Sequence, residues 1–372
     1  MGAAYGQVKV GFITPQSGPA AVVGQDQLDG FNLAMEQLKG RLGGQPATVI
    51  AEDDQAKPDL GNQIIKKLIE REKVDAVVGL SFSNVMMAML KPIVDSGIPA
   101  ISTNAATSVV AGPGCAANFF SVAWQNDGPA EAAGKYVNDG GYKRVFMLAP
   151  NYQAGKDMFA GFKRYYKTAV LDEVYTQVGQ TDYSAEIAQL QAAKPDAVFV
   201  FYPGAAGINF VKQFSQAGLN GKIPMFSAFT IDGTSLPSLR DAANGAITGA
   251  SWDASMDNPQ NKKFVADFKA KYKRIPSQFA AAGFDAAMLL DAAVKKAGPD
   301  YADKKKLAAA IKSAGSEFKS VRGAFRFNNN NMPIHNYYVF KVENATAANP
   351  VQTVGLALEN HSDAYARQCP LK

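Results

Sequence analysis

Short apolar runs alternate along this chain with longer stretches whose apolar positions recur at helical spacing, the pattern of parallel strands joined by crossover helices. Residues 8–13, 48–51, 76–80 and 99–102 read as strands. Between them Leu28, Phe31, Leu33, Met35 and Leu38 mark one helix face and Ile64, Ile65, Leu68 and Ile69 a second, while a third helix, 85–94, stops before Gly97. After a strand at 119–122 the pattern restarts, with strands at 145–148, 174–178, 197–202 and 225–229 and helices over 155–166, 183–192 and 207–216. Beyond Trp252 the texture turns helical, 261–272, 278–297 and 307–313, before three last strands at 324–327, 337–342 and 353–358 that must join a sheet already built.

The two halves also repeat each other in wording. Lys73-Val74-Asp75-Ala76-Val77-Val78-Gly79, followed by Ile98-Pro99-Ala100-Ile101-Ser102, is echoed by Lys194-Pro195-Asp196-Ala197-Val198-Phe199-Val200 and then Ile223-Pro224-Met225-Phe226-Ser227. Residues 8–15 and 143–150 match in type and order. The expectation is an α/β protein of two doubly wound parallel-sheet lobes. The late helices return to the first lobe, 1–124 plus 254–331, and the last strands to the second, 125–253 plus 332–372. Several crossings make a hinge, a hinge permits closure, and a cleft between like lobes calls for a guest.

Length agrees with two domains, since 372 residues exceed what one core usually organises. The 47% hydrophobic share suffices for real cores, yet no uninterrupted apolar run approaches the roughly 20 residues of a membrane span. The formal charge of +5 is spread among acidic residues with no basic stripe, which argues against a nucleic-acid partner. Met1-Gly2-Ala3-Ala4-Tyr5 lacks a charged and an apolar leader region, so it reads as a cytosolic start or as a mature chain carrying an added Met. Cys115 and Cys369 are too few for a zinc site; in an oxidising compartment they could pair and tie the tail to an early loop, or they are two unrelated thiols.

Motifs of catalysis are missing: there is no phosphate-binding P-loop, no nucleophile elbow, no zinc-protease helix and no calcium loop. Gly112-Pro113-Gly114-Cys115-Ala116-Ala117 matches a dinucleotide fingerprint in letters only, because strand, not helix, comes after it; a structural turn is expected. Asp53-Asp54 reads as a strand-end turn, since adjacent strand residues point opposite ways and cannot share one ion or proton. No enzymatic activity, cofactor or metal is expected.

More specific is Gly79-Leu80-Ser81-Phe82-Ser83-Asn84, where a buried strand gives way to hydroxyl residues and a helix start. Unpaired N–H groups and the helix dipole favour an anion there. The next strand ends in Ser102-Thr103-Asn104-Ala105-Ala106-Thr107, a second polar rim at the same end of the sheet. Together, at the carboxyl ends where open parallel sheets bind ligands, they form a candidate carboxylate clamp. In the second lobe Tyr152, Tyr202 and Phe229 fall near strand ends, and Trp124 and Trp252 at the lobe junctions, as candidates for an aromatic wall.

At Ser17-Gly18-Pro19, Asp53-Asp54 with Pro58, Gly79 through Ser83, and Ala105-Ala106-Thr107, the chain resembles the branched-chain amino acid (Leu/Ile/Val) binding proteins of bacterial ABC importers. The likeness covers nearly the whole length. It implies a type I periplasmic binding protein fold with three hinge crossings, a cleaved signal peptide, a periplasmic location, and a membrane permease with ATPases as partners of a monomer. By position, Ser83 and Thr107 take the roles of the family's carboxylate-holding hydroxyls, with Ser81 and Asn104 beside them. Ala105 supplies the carbonyl that receives the ligand's ammonium.

The chain departs from that pattern in the second lobe. Phe229 stands where the resemblance leads one to expect the glutamate that completes the ammonium site, and Ala154 stands near the position of a family tyrosine. Burying an ammonium without a counter-charge costs several kcal/mol, on the order of the gap between micromolar and millimolar binding. The expectation is therefore a carboxylate with an apolar or aromatic remainder, of benzoate or phenylpropanoid type, bound by hinge closure. An amino acid or amide ligand is the alternative, and would need Asp127, Asp232 or Asp253 in the slot.

Overall fold

Parallel strands buried on both faces need helices on either side, and the computed structural model, which describes residues 6–347 and 350–371, has that construction twice. Met1–Tyr5, the start read for a leader, lie outside the described residues. In chain order the strands are β1 (Val8–Thr14), β2 (Arg41–Leu42), β3 (Gln45–Asp53), β4 (Ala76–Gly79), β5 (Ala100–Ser102), β6 (Phe119–Ser121) and β7 (Val145–Pro150). They continue as β8 (Asp172–Thr176), β9 (Ala197–Val200), β10 (Met225–Ser227), β11 (Ile247–Ala250), β12 (Arg326–Phe327), β13 (Pro333–Val342) and β14 (Val351–His361).

A six-stranded sheet runs β2-β3-β1-β4-β5-β6, and an eight-stranded sheet runs β12-β13-β11-β10-β9-β7-β8 with β14 also paired to β13. β3, β1, β4, β5 and β6 are parallel, as are β8, β7, β9, β10 and β11. The repeated wording of the sequence is thus a repeated strand order: β3-β1-β4-β5-β6 and β8-β7-β9-β10-β11.

The chain divides into two compact units. The first runs up to Gln125 and takes in Asp257–His335 and the tail from Ser362; the second is Asn126–Met256 with Asn336–His361. The tail is a correction to the expected lobes, because 362–371 belongs with the first unit, not the second. The chain therefore passes between units four times, at 125/126, 256/257, 335/336 and 361/362, where three crossings were expected. The physical reason is a disulfide between Cys115 and Cys369, which returns the tail to the first unit across 254 positions of sequence.

Each unit has its own core. In the first, Ile13, Val77, Ile93, Ile98 and Ala106 gather with Met332. In the second, Phe146, Leu148, Val198, Phe210 and Phe214 gather with Tyr183 and Tyr202. Helix Asp127–Asp139 and strand β11 were not read from the pattern. Both pack by close backbone approach: a Cβ on Gly134 would sit 2.2 Å from the Phe162 carbonyl oxygen, and one on Gly249 2.1 Å from that of Pro129. Small residues build that contact, so no apolar stripe announces it.

Candidate functional site

In the first unit the carboxyl ends of β1, β4 and β5 lie side by side, with Ile13 paired to Gly79 and Gly79 to Ser102. Gly79 has φ +109 and no room for a side chain, a Cβ falling 2.1 Å from the Ile13 carbonyl oxygen. Leu80 then takes the left-handed conformation (φ 61), and the chain turns to enter helix Ser83–Ser96 from an extended Phe82. The first turn of this helix holds no acidic residue and its cap makes no side-chain bond, an arrangement that leaves its end electropositive.

Ser83, the first helical residue, and Thr107 are both almost fully buried. The Thr107 hydroxyl lies 3.5 Å from the Met87 sulfur. Met87 follows Ser83 by four positions and so shares its helix face, which places Thr107 against the side of the helix that carries Ser83. Ala105 is also at this rim, its carbonyl accepting from Ser102 Oγ at 2.6 Å. Asn104 Nδ2 donates to the Ser81 carbonyl at 2.6 Å and binds the two strand ends together.

Ser81 is not placed as a ligand group. Its hydroxyl donates to Gln27 Oε1 at 3.0 Å and lies 2.7 Å from Thr14 Oγ1, inside a buried network that Thr103 completes by reaching the same Gln27 oxygen. The Ser81 hydroxyl is thus engaged with Gln27 and Thr14 inside the unit.

Asp53 and Asp54 act as the strand-end turn expected of them. Asp53 accepts from the Gln16 and Gln55 amides at 2.8 and 2.9 Å and from the Ser17 hydroxyl, so the Ser17-Gly18-Pro19 loop is tied to the end of β3. Asp54 accepts from the Ala56 amide at 2.8 Å, and burial pushes its carboxyl up to about 6, the neighbouring Asp53 charge adding to the effect.

In the second unit the corresponding strand ends are aromatic. Tyr152, which precedes helix Gln153–Tyr165, stacks on Phe201 with ring centroids 6.1 Å apart and planes at 22°, and Phe201 meets Phe229 edge-on at 6.0 Å. Phe201, named by no motif, is the middle of this row. Tyr202, expected in its place, is fully buried in the core against Tyr183 and Phe210, at 5.0 and 5.1 Å. Beyond β9 successive side chains point opposite ways, so only one of the pair can face the strand end. A signal was present, since two adjacent aromatics at a strand end must divide between core and rim.

Phe229 holds a left-handed backbone (φ 57), rare for a bulky residue and found where surrounding structure fixes it. Next to it, Thr230 Oγ1 accepts from the Tyr202 amide at 2.9 Å and fastens this loop to the end of β9. Ala154 is buried in the first turn of helix Gln153–Tyr165 and adds no polar group. Burial, with the Asp157 carboxylate nearby, drives the Tyr152 phenol above its ordinary range, so it remains a neutral group at all physiological pH.

The tryptophans separate. Trp252 is buried in the second unit just past β11. Trp124 is core of the first unit, 5.9 Å from the Phe279 ring and under the Arg322 guanidinium at 6.0 Å, which removes it from the candidate wall. The three carboxylates that an ammonium would need all have protein partners: Asp127 with Arg164 Nη1 at 2.9 Å, Asp232 with the Thr234 amide and hydroxyl at 2.7 Å each, and Asp253 with the Ser255 amide at 2.9 Å. Burial also raises the Asp253 carboxyl, weakening it as a counter-charge.

Residues 7–347 match the periplasmic binding protein family, and the chain belongs to it. Among its relatives is the Leu/Ile/Val-binding protein homolog 6 of Brucella melitensis, 29% identical over 275 residues that span 71% of this chain and 70% of the relative. Among solved structures, an ABC-transporter solute-binding protein from R. palustris in complex with benzoate superposes with a TM-score of 0.92 at 32% identity, covering 98% of this chain and all of that one. A second, from Rhodopseudomonas palustris BisB5 in complex with 3,4-dihydroxybenzoic acid, gives 0.89 at 27% identity over 96% of this chain and 99% of the other. The type I periplasmic binding fold expected from the sequence is the fold found.

Proposed function

We propose that this chain is the periplasmic solute-binding protein of an ABC importer and captures a small aromatic carboxylate of benzoate or phenylpropanoid type. The observation that carries the reading is Phe229. An aromatic ring occupies the place of the expected acidic partner, and it continues into the row Phe229–Phe201–Tyr152. In the first unit Ser83, Thr107 and the first-turn amides of helix Ser83–Ser96 are the groups suited to a carboxylate; charge-assisted bonds of this kind contribute about 1.5 to 3 kcal/mol each. In the second unit the row of rings favours an apolar or aromatic ligand over a charged one. A benzoate complex of a relative at 32% identity supports the same choice.

The protein works by binding, without turnover, and as a monomer passes its ligand to a permease powered by ATPase subunits. The rival reading within the family, a branched-chain amino acid or amide ligand, draws support from the Leu/Ile/Val-binding relatives. It lacks a carboxylate at the strand end where Phe229 stands. A thermal-shift and calorimetry panel of benzoates, phenylpropanoid acids and branched-chain amino acids separates the two. Benzoate at about a hundred times its Kd stabilises the protein by about 2.7 kcal/mol in the proposed case. Stabilisation by leucine or valine with none by the aromatic acids would overturn it.

A further inference from the structure

The segment between β5 and β6, which carries Ala105 and Thr107, has little regular structure of its own. Its one helix, Ser108–Ala111, is four residues long and has no side-chain cap, far below the length at which a helix holds itself. At its near end the Ser102 hydroxyl fixes the Ala105 carbonyl. Its far end is held by parts of the chain more than two hundred residues away.

Asn330, fully buried, donates through Nδ2 to the Ala111 carbonyl at 2.7 Å and to the Asp363 carboxylate at 3.1 Å, and accepts from the Met332 amide at 3.2 Å. One side chain thereby joins the Thr107 segment to the tail. Asn331 Nδ2 donates to the Ala116 carbonyl at 3.2 Å, and the Cys115–Cys369 disulfide closes the same turn covalently. The tail is fastened back in turn: Asn328 Nδ2 donates to Ser362 Oγ at 2.7 Å, and Asn329 Nδ2 to the Ala366 carbonyl at 3.0 Å. Tyr365 packs on the core cluster that contains Ala105, Ala106 and Val110, and its Cβ and Gln368 Oε1 border Gly112. The asparagine run is itself anchored, the Asn331 carbonyl accepting from the Ser121 amide at 3.1 Å and its side chain from Lys312 Nζ at 2.7 Å.

We propose that the tail 362–371, locked by Cys115–Cys369 and the Asn328–Asn331 run, is a strap that positions Thr107 for the ligand carboxylate. Thr107 as a ligand group rests on the function proposed above; the strap itself does not. Among the described residues the tail makes no strand pairing; it is held by Asn328, Asn329 and Asn330, and its disulfide together with the Asn330 and Asn331 side chains meets 111–116, the stretch just after Thr107. Asn330 and the cysteines act through Thr107 and are positioning residues.

The full chain is compared in three states: disulfide intact, reduced with a phosphine and alkylated, and as N330S, which leaves the disulfide in place should the reduced form fail to fold. Without ligand, backbone hydrogen exchange across 105–117 accelerates by about tenfold or more in the altered states while β1 and β4 keep their protection. Unchanged exchange in 105–117 overturns the strap whatever the ligand is. Well below the melting temperature, benzoate affinity falls about tenfold in the altered states but less than about twofold when Thr107 is already Val, the coupling a positioning role requires. Equal losses in both backgrounds overturn the positioning of Thr107. If the intact protein binds leucine and not benzoate, the function reading fails separately, and the same cycle run with leucine still judges the strap through its carboxylate.

Discussion

The carboxyl ends of β4 and β5 in the first unit and of β9 and β10 in the second occupy the same places in the same strand order, yet one pair ends in hydroxyls and amides and the other in rings. After Gly79 come Leu80 and Ser81; after Val200 come Phe201 and Tyr202. Two residues past Ser102 stands Asn104, and two past Ser227 stands Phe229. Even the fastening is shared, with a threonine hydroxyl reaching the last carbonyl of the neighbouring strand: Thr103 to Gly79 at 3.1 Å, Thr230 to Val200 at 3.3 Å. The second threonine comes two residues later, and the added length is the loop that holds Phe229 in its left-handed turn. A common frame thus gives opposite chemistry through the few residues placed just past each strand.

Breaking the covalent support of the polar end has the largest expected effect. In the chain-entropy view a disulfide spanning 254 positions contributes about 5 kcal/mol, so reduction lowers the denaturation midpoint sharply, read by urea titration with and without reductant. Converting the aromatic end toward the family pattern comes next. Phe229→Glu places a buried carboxylate in the site and weakens benzoate binding by about 3 to 5 kcal/mol, with new affinity for leucine, measured by calorimetry; undiminished benzoate binding would separate Phe229 from the site.

Asp54 has no ionisable counterpart at the end of β8, where Thr176 and Gln177 stand. Its folded carboxyl lies near 6, above the unfolded value of 3.8, so the folded state holds the proton more tightly. Its contribution to stability is fully present below pH about 4 and is lost as pH rises to about 6, on the order of 3 kcal/mol. Asp54→Asn removes that part of the slope, visible as the difference between the two proteins' denaturation curves from pH 4 to 8.

Thr107→Val deletes one charge-assisted bond and costs about 1.5 to 3 kcal/mol for benzoate, with little loss for a neutral analogue such as benzamide. Equal losses for both would make Thr107 a packing residue. Smallest is Tyr202→Phe, which leaves affinity within about twofold because the ring lies in the core, whereas Phe201→Ala weakens binding by more than about 1 kcal/mol. The reverse order would return Tyr202 to the wall.

What could be read along the chain was what local pattern writes. Buried parallel strands are near-continuous apolar runs, and the hydroxyls after Gly79 and Ser102 sit in sequence where they sit in space. What could not be read depended on direction and distance. Ser81 and Ser83 look alike in the sequence, but Ser81 faces Gln27 and Thr14 inside the unit. Tyr202 is a plausible wall residue until the turn after β9 gives that face to Phe201. The helix Asp127–Asp139 was silent because it packs through glycine and alanine.

The sequence by itself determined two like-ordered sheets, with polar residues at the strand ends of one and aromatic residues at those of the other, since alternation and strand-end chemistry are short-range properties; the importer-type binding family entered through the resemblance of its motifs. Tertiary structure decided that Ser81 turns to Gln27 and Thr14, that Tyr202 joins the core while Phe201 meets Tyr152 and Phe229, and that the last residues return to the first unit. Those outcomes turn on bonds such as Asn330 to Ala111, 219 positions apart, which no local pattern encodes.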